Sequence, residues 1–258
     1  MSIASEIERL QNAKTSIKTA IENKSKKAVN GTIDTYAEKI NELPVLTNEI
    51  NTMDYLFSNN KFANDIDVIL KLVKQPTSMY YAFSNTTEVK EIDLSSIDMS
   101  KCNSLSGAFQ NCYNVTKIKF GGNESKEVTR CESMLYSCEE LIDLELSIFD
   151  WGKVTQVQSM FGYNHELKNV KFPKNLGKSY TTKSKNYYAY GIQINHASKL
   201  TYDSLMNIIN NLYDLNLSYN VAGGGTLYTQ QLTIGSENIA KLTSAEIKKA
   251  TDKGWTVS

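Results

Sequence analysis

The sequence has little arginine, no net charge and no long apolar run. Among 258 residues, 28 are Lys or Arg and 28 are Asp or Glu, and only Arg9 and Arg130 are arginine. Arginine reads guanine edges and binds phosphates at two points, so its scarcity on a neutral chain argues against a nucleic-acid partner. No stretch approaches the roughly 18 apolar residues that cross a membrane. We therefore expect neither nucleic-acid binding nor membrane insertion.

Signals for export and for disulfide bonding are also missing. The first residues, MSIASEIERLQNAK, lack the apolar core of a secretory signal peptide. We therefore expect a protein made and kept in the cytoplasm, or one that leaves by a route that needs no signal. The four cysteines contain no CxxC pair, in a chain that is neither short nor evidently secreted. We expect free, mostly buried thiols at Cys102, Cys112, Cys131 and Cys138.

Catalytic patterns are absent from the sequence. His165 and His196 are far apart, and no nucleophile elbow, phosphate loop, dinucleotide glycine fingerprint, HExxH or EF-hand pattern occurs. His165 occupies a position that elsewhere holds lysine, threonine, tyrosine or glutamate, which is typical of a solvated turn. Asp98 and Asp150 lie two repeat periods apart, so repeat geometry explains them before carboxylate catalysis does. We expect no enzymatic activity, no cofactor and no metal.

The sequence does contain a repeat. Similar segments begin at Leu56, Ala82, Ala108, Met134 and Met160, which is a constant 26-residue period. Their second residue is large and apolar, and six positions later comes the spacing apolar-x-x-apolar-x-apolar. This spacing resembles the LxxLxL core of leucine-rich repeats. The predicted repeat core is Phe57, Phe83, Phe109, Leu135, Phe161, Ile92, Leu94, Ile118, Phe120, Leu144, Leu146, Val170 and Phe172, with weaker first-copy matches at Ala63, Ile66 and Val68.

Stacking such units places each strand beside the next and buries one continuous core. The predicted fold class is α/β: a short leucine-rich-repeat solenoid of five 26-residue coils with a parallel sheet. An N-terminal helical region and a small helix–strand C-terminal cap flank it. The predicted domains are residues 1–50 for docking and oligomerisation, 51–173 for the solenoid, 174–199 for a polar loop rich in Tyr and Lys, and 200–258 for the cap.

The C-terminal region has the pattern of a closing unit. Residues 200–215 place Leu205, Ile208, Ile209 and Leu212 on one helical face. LYTQQLTIG and WTVS are predicted to be strands. Between them we expect a short helix with Thr243 or Ser244 as N-cap and Gly254 as C-cap.

Two other segments each allow two interpretations. The first contains Ile3, Ile7, Leu10, Lys14, Ile17 and Ile21, which are spaced as an a/d heptad seam. This seam predicts either a short trimeric coiled coil or a helix packed on a second helix that Pro44 ends. The second is the loop at 174–199, whose receptor-binding candidates are Tyr180, Lys183, Lys185, Tyr187, Tyr188 and Tyr190. These side chains suit recognition, or they cover the cap.

The repeats resemble the BspA-like leucine-rich repeats of Gram-positive bacteria and their phages. The match is clearest over Ser133–Phe161, SMLYSCEELIDLELSIFDWGKVTQVQSMF, which includes Cys138 and the Phe149–Asp150 pair. The C-terminal segment looks like the closure of such proteins in phages and prophages. Residues 8–43 are similar to a leader found on phage tail proteins, although KSKKAVNG here replaces the usual KGVTVP before the second helix.

The resemblance implies a virion protein of the tail, baseplate or fibre, assembled in the bacterial cytoplasm and released at lysis. Residues 1–50 would dock it to other virion proteins and form a homotrimer. The solenoid and the loop would bind the host surface, as wall carbohydrate or a surface protein. The alternatives are a structural or decoration protein that contacts only other virion proteins, and a cytosolic protein-interaction module. A wall hydrolase is disfavoured because no paired carboxylates or nucleophile stand out.

Overall fold

A computed structural model describes residues 51–60, 66, 70, 73–178, 191–219 and 230–258. The predicted heptad residues Ile3 to Ile21, the loop residues Tyr180 to Tyr190, and the first-copy positions Ala63 and Val68 lie outside these ranges. Within the described part, the fold is mixed α/β with two parallel sheets and few helices. No helix in that part is long and apolar enough to cross a membrane.

The first sheet has four parallel strands in sequence order. They are β1 (Glu91–Leu94), β2 (Lys117–Phe120), β3 (Asp143–Glu145) and β4 (Asn169–Lys171). Ile92, Ile118, Leu144 and Val170 are paired in succession, and each lies one repeat period after the one before. The predicted parallel sheet is therefore present, with equivalent residues of successive repeats in register.

The predicted repeat core is buried with one exception. The Phe57 and Phe83 rings stack with centroids 4.8 Å apart, and Phe83 stacks on Phe109 at 5.5 Å. Phe120 is only partly buried, and its ring lies edge-on to Phe109 at 5.9 Å and to Phe149 at 5.1 Å. The apolar pattern does not reveal this because Phe120 occupies the same repeat position as buried Leu94 and Leu146.

The turn of each repeat forms a second hydrogen-bonded ladder. The N–H groups of Tyr55, Phe57 and Asn59 donate to carbonyls in the next repeat, at 2.9, 2.7 and 2.8 Å. Three equivalent bonds join each later repeat to the one after it, and Ser137 donates the last bond of the series. The turn backbone is left-handed at two positions per repeat, which are 55, 81, 107, 133 and 159, and 59, 85, 111, 137 and 163. These turns direct alternate N–H groups along the stack, so backbone hydrogen bonds join each repeat to the following one.

Asparagine fits the second left-handed position. Asn59, Asn85 and Asn111 have φ between 58° and 60°, a region that asparagine tolerates better than most residues. From the sequence, their amides are expected to satisfy backbone groups between coils. Instead, the Asn111 amide Nδ2 donates to Asn85 Oδ1 at 2.9 Å, one side chain to the next. Backbone conformation therefore explains these residues better than backbone hydrogen bonding does.

A buried side-chain donor joins each repeat to the previous one. Thr86 Oγ1 donates to the Phe57 carbonyl at 3.0 Å. At the equivalent position, Cys112 Sγ donates to Phe83 O at 3.0 Å, Cys138 Sγ to Phe109 O at 3.1 Å, and Asn164 Nδ2 to Leu135 O at 2.8 Å. Each of these four residues therefore supplies a buried hydrogen-bond donor.

All four cysteines are free and buried, which confirms that prediction. Burial raises the pKa of the Cys102 and Cys112 thiols to about 12. It also raises the pKa of the Cys131 and Cys138 thiols well above the ordinary value. A protonated, buried thiol is a poor nucleophile, so these side chains serve packing and hydrogen bonding.

Helix α1 (Tyr202–Asn211) covers the outer edge of β4. Its buried face is Leu205, Ile208 and Ile209, as predicted. Its polar flank satisfies the strand: Ser204 Oγ accepts from the Val170 N–H at 2.9 Å, and Asn207 Oδ1 accepts from the Phe172 N–H at 2.7 Å. Side chains spaced i and i+3 on the helix therefore take the place of a further strand. This arrangement leaves no bare edge at β4.

The second sheet is three-stranded and parallel, in the order β5 (Ile192–Gln193), β6 (Gln230–Thr233) and β7 (Trp255–Val257). Short helices α2 (Asn216–Tyr219) and α3 (Ser236–Ile239) and the longer α4 (Ser244–Thr251) lie among these strands. Strand β5 falls in the segment that the sequence assigns to a polar loop.

Helix α4 begins as predicted and ends earlier than predicted. Thr243 is its N-cap and forms a capping box with Glu246. The helix ends at Thr251 with Asp252 as C-cap, so Gly254 is not the cap residue. Gly254 takes a φ of +86° two positions later, where the chain turns into β7.

The C-terminal region contains its own duplication. IQINHASKLTYDSL, from Ile192, aligns with LTIGSENIAKLTSAEI, from Leu232, and Ile192 pairs directly with Leu232. Thr201 and Thr243 each accept the N–H three positions later at a helix start. The offset between the two caps is larger than the offset between the two strands, so the copies do not share one constant period. Scanning at a fixed period therefore misses this duplication.

We predict that the hydrogen bond donated from this position stabilises the fold in addition to the volume that the side chain fills. Asn164→Ala removes the donor to the Leu135 carbonyl and leaves a cavity, so unfolding in urea should show a loss of about 2–4 kcal/mol. Asn164→Thr copies Thr86 and keeps one donor, so it should lose less than half as much. Equal losses in the two variants would show that the donor is unimportant.

Candidate functional site

The open face of the first sheet carries rows of charged and amide side chains. One row contains Asp93, Lys119, Glu145 and Lys171, one from each strand. Lys119 Nζ lies 2.9 Å from Asp93 Oδ2, and Lys171 Nζ lies 2.9 Å from Glu145 Oε2. Signs alternate along the stack, so each charge has an opposite neighbour. Such exposed pairs contribute little to stability, and they leave the face close to neutral.

Helix α1 turns this face into a groove. The groove has a volume of about 610 Å³, with the strands as its floor and Thr201, Asp203, Ser204 and Asn207 as its wall. Ser204 and Asn207 are occupied by the backbone of β4. The side chains of Lys117 on the floor and Asp203 on the wall offer a donor and an acceptor to a ligand.

Hydrogen bonding controls the ionisation of Asp93 at this face. The side chain of Ser95, the Ser95 N–H at 2.9 Å and Lys119 together lower the pKa of Asp93 to about 2. In the same row, partial burial alone would raise the pKa of Glu145. The hydrogen bond from Ser147 and the ion pair with Lys171 outweigh that effect and lower this pKa. Both carboxylates are therefore ionised at neutral pH.

A group of four rings, which we call the ring cluster, occupies the turn side of the last repeat. Its members are Tyr136, Tyr163, His165 and His196. Tyr163 is central, with its ring centroid 5.3 Å from Tyr136, 6.1 Å from His165 and 4.8 Å from His196. Tyr163 is 43% exposed. None of the four lines the sheet groove, so the two surfaces are separate.

The ring of Tyr136 lies against a glycine. A Cβ on Gly162 would approach the Tyr136 ring to 2.7 Å, closer than real contacts allow. Gly162 stands one repeat period after Tyr136. The same arrangement occurs at Tyr81 and Gly107, where the distance is also 2.7 Å. Position 107 takes Ser or Tyr in the other copies with the same left-handed φ, so ring packing explains the glycine better than the backbone does.

The structure describes only some of the site residues that the sequence predicts. The loop candidates Tyr180, Lys183, Lys185, Tyr187, Tyr188 and Tyr190 and the heptad residues lie outside the described ranges. His165 is exposed in a turn, as predicted, but it lies 6.2 Å from His196, centroid to centroid. Sequence reasoning missed this pairing because the two histidines are far apart along the chain. The signal available was Tyr163, a bulky residue where three other copies hold asparagine.

The carboxylates of Asp98 and Asp150, two repeat periods apart, accept hydrogen bonds from backbone N–H groups. Asp98 accepts from the Ser100 N–H at 3.0 Å and Asp150 from the Gly152 N–H at 2.8 Å, each starting a 3-10 helix (Met99–Lys101 and Trp151–Lys153). Repeat geometry thus explains both, as predicted. Among the described residues, no group of three or more His, Cys, Asp or Glu side chains is arranged to hold a metal ion.

The family of the chain follows from comparison with known proteins. A family model described as "Mycoplasma protein of unknown function, DUF285" matches residues 15–141 and, in a second match, residues 77–197. Together these matches span well over half of the sequence. The chain belongs to this family. Membership supports the resemblance to BspA-like repeat proteins. Comparisons with curated proteins and with solved structures gave no match.

We predict that the hydrogen bonds from Ser95 to the Asp93 carboxylate make the fold sensitive to acid. The folded pKa of Asp93 is about 2 and the unfolded value is about 3.9, so its contribution is complete above pH 4 and is lost as the pH falls toward 2. Asp93→Asn should therefore be less stable than the parent at pH 6, and the difference should shrink between pH 4 and pH 2. Urea unfolding at several pH values measures this difference.

The exposed carboxylate Glu88 provides the control for this series. Glu88→Gln should leave the pH profile close to that of the parent. A stability difference between Asp93→Asn and the parent that stays constant down to pH 2 would contradict the assignment.

Proposed function

We propose that the protein is a component of a phage particle, in the tail, baseplate or fibre, that binds wall carbohydrate of the host cell. Residues 51–173 form a solenoid of five coils, and residues 200–258 close its end. Residues 1–50 attach the chain to other virion proteins. The observation that carries the binding role is the groove between the sheet face and α1, whose lining balances three basic side chains with three acidic ones: Lys117, Lys119 and Lys171, and Asp143, Glu145 and Asp203.

The groove fits a polymer better than a small substrate. Its floor is built from equivalent residues of successive repeats, so its chemistry recurs about every 4.8 Å along the stack. A linear polymer with a repeating unit meets the same kind of group at each step. The backbone hydrogen bonds between repeats keep the floor rigid, which limits the entropy lost on binding. Opposite charges alternate, so a highly charged polymer of either sign gains little there.

The second candidate is a structural or decoration protein of the virion that contacts only other virion proteins. The evenly spaced ladder favours it, because a stack held by backbone bonds on two sides is also a good spacer. The two functions differ in what the groove meets. Attachment requires it to be open to the host, whereas a spacer tolerates burial of the groove in the particle.

The test is binding of the purified full-length chain to intact Gram-positive cells and to isolated wall polysaccharide. Under the attachment proposal, binding is saturable, and Lys117→Ala combined with Asp203→Ala weakens it about tenfold through loss of charged hydrogen bonds. Glu124→Ala combined with Lys126→Ala is the matched control, because this exposed pair lies outside the groove. The control should bind as the parent does.

Two outcomes would change the conclusion. A groove variant that stays folded and binds as tightly as the parent would move recognition away from the groove. Absence of binding by the folded parent, at concentrations that allow multivalent attachment, would favour the structural function. The partner should then be sought within the particle.

A further inference from the structure

The ring cluster departs from the repeat at Tyr163. Tyr163 has a φ of 58°, at the position where Asn59, Asn85 and Asn111 stand in other copies. A bulky residue is strained in this left-handed conformation. Because 43% of Tyr163 is exposed, burial does not offset that strain well. Tyr55 has the same conformation and exposure, so the feature particular to Tyr163 is the pair of histidine rings, His165 and His196, beside it.

The neighbours hold the Tyr163 ring in place. Tyr136 lies edge-on to it, with an interplanar angle of 83°, and can take that position because Gly162 has no side chain. His196 lies beside it at 4.8 Å, tilted by 33°. An aromatic ring fixed in this way loses little entropy when a ligand stacks on it.

The chemistry of the cluster is amphipathic and close to neutral. Every member combines a ring face with a polar edge, either a phenol hydroxyl or an imidazole nitrogen. Among the described residues, Lys199 is paired with Glu166 beside the cluster, and Lys168 is also close enough to help lower the pKa of Glu166. Binding of single-stranded nucleic acid would need unpaired basic residues along a groove.

A sugar ring matches this surface. Pyranoses with equatorial substituents have C–H faces that pack on aromatic rings and hydroxyls that hydrogen bond at the edge. We propose that the ring cluster is a carbohydrate subsite, separate from the sheet groove, that stacks on Tyr163 the apolar face of a pyranose with equatorial substituents. It deepens the proposed function by naming a sugar class, and rests on that function only for the source of the sugar.

Tyr113 extends the subsite along the stack. It is 41% exposed and occupies the position equivalent to His165, two repeats earlier. Two layers of a parallel stack amount to about 10 Å, which a short oligosaccharide spans. Tyr113 is also close enough to Tyr136 to contribute, after partial burial and Tyr163, to the raised pKa of Tyr136. The subsite therefore accommodates an oligosaccharide better than a single sugar.

The test uses the full-length chain and soluble chitotriose, a β-1,4-linked trimer of N-acetylglucosamine. Saturation-transfer NMR should show contact with the ring C–H protons of the sugar, and calorimetry gives the dissociation constant. Tyr163→Asn introduces the residue that three of the other copies have at this position. It should weaken binding at least about tenfold through the lost stacking. Its melting temperature should equal or exceed that of the parent, because the left-handed strain is relieved.

Two further variants locate the site. Gly162→Ala displaces the Tyr136 ring without removing any aromatic group, and it should weaken chitotriose binding severalfold. Tyr55→Ser is the matched control, because Tyr55 is an exposed, left-handed tyrosine in the first copy and Ser133 and Ser159 occupy its position later. It should bind chitotriose as the parent does.

The result separates this inference from the proposed function. No saturation transfer at millimolar chitotriose, or equal affinity of Tyr163→Asn and the parent, would overturn the subsite even if cells are bound through the groove. Chitotriose binding that Tyr163→Asn abolishes, together with no binding to cells or wall polysaccharide, would uphold the subsite and remove the attachment role.

Discussion

The backbone ladder in the turns is the constraint on which the rest of the structure depends. Every second N–H in a turn bonds to a carbonyl in the next repeat, and the chain achieves this by entering the left-handed region twice per repeat. These two bends also fix where the phenylalanine stack and the buried donors lie. A repeat that could not make both bends would leave several buried backbone groups without partners, at a cost of about 1–3 kcal/mol each.

The two exposed surfaces stand in different relations to this constraint. The sheet face follows the repeat: its charges pair with the neighbours that the register supplies, as Lys119 does with Asp93. The ring cluster breaks the repeat, because Tyr163 stands where asparagine suits the backbone. The first surface gains a regular chemistry without strain. The second accepts a left-handed backbone at an aromatic residue, as Tyr55 and Tyr81 also do in earlier repeats.

The constant period of the repeat explains why sequence reasoning found the parallel sheet, its register and nearly all of its core. It also explains the misses. Phe120 shares a pattern position with buried leucines, and only its ring contacts reveal partial exposure. The duplication at Ile192 and Leu232 was missed because its two offsets differ. The meeting of His165 and His196 depends on how that second unit docks on the last repeat, and no local pattern encodes it.

The roles of the polar residues of α1 could not be predicted from a local sequence pattern either. The apolar stripe of Leu205, Ile208 and Ile209 is visible in the sequence, whereas Ser204 and Asn207 look like ordinary solvent-facing residues. Their partners are the backbone N–H groups of β4 and of Phe172 just after it, which only the assembled sheet brings near. Side chains that bond to a distant backbone leave little periodic trace in the sequence.

The tyrosine–glycine contacts bear on how such a chain changes by recombination. Repeats with similar sequence favour unequal crossing-over, which adds or removes whole units. Here the Tyr81 ring fills the space beside Gly107 in the following unit, and the Tyr136 ring fills the space beside Gly162. Excising or inserting one unit at either junction would set a ring against a residue that has a side chain. At these two junctions the copies are therefore matched to their neighbours and are not interchangeable with the others.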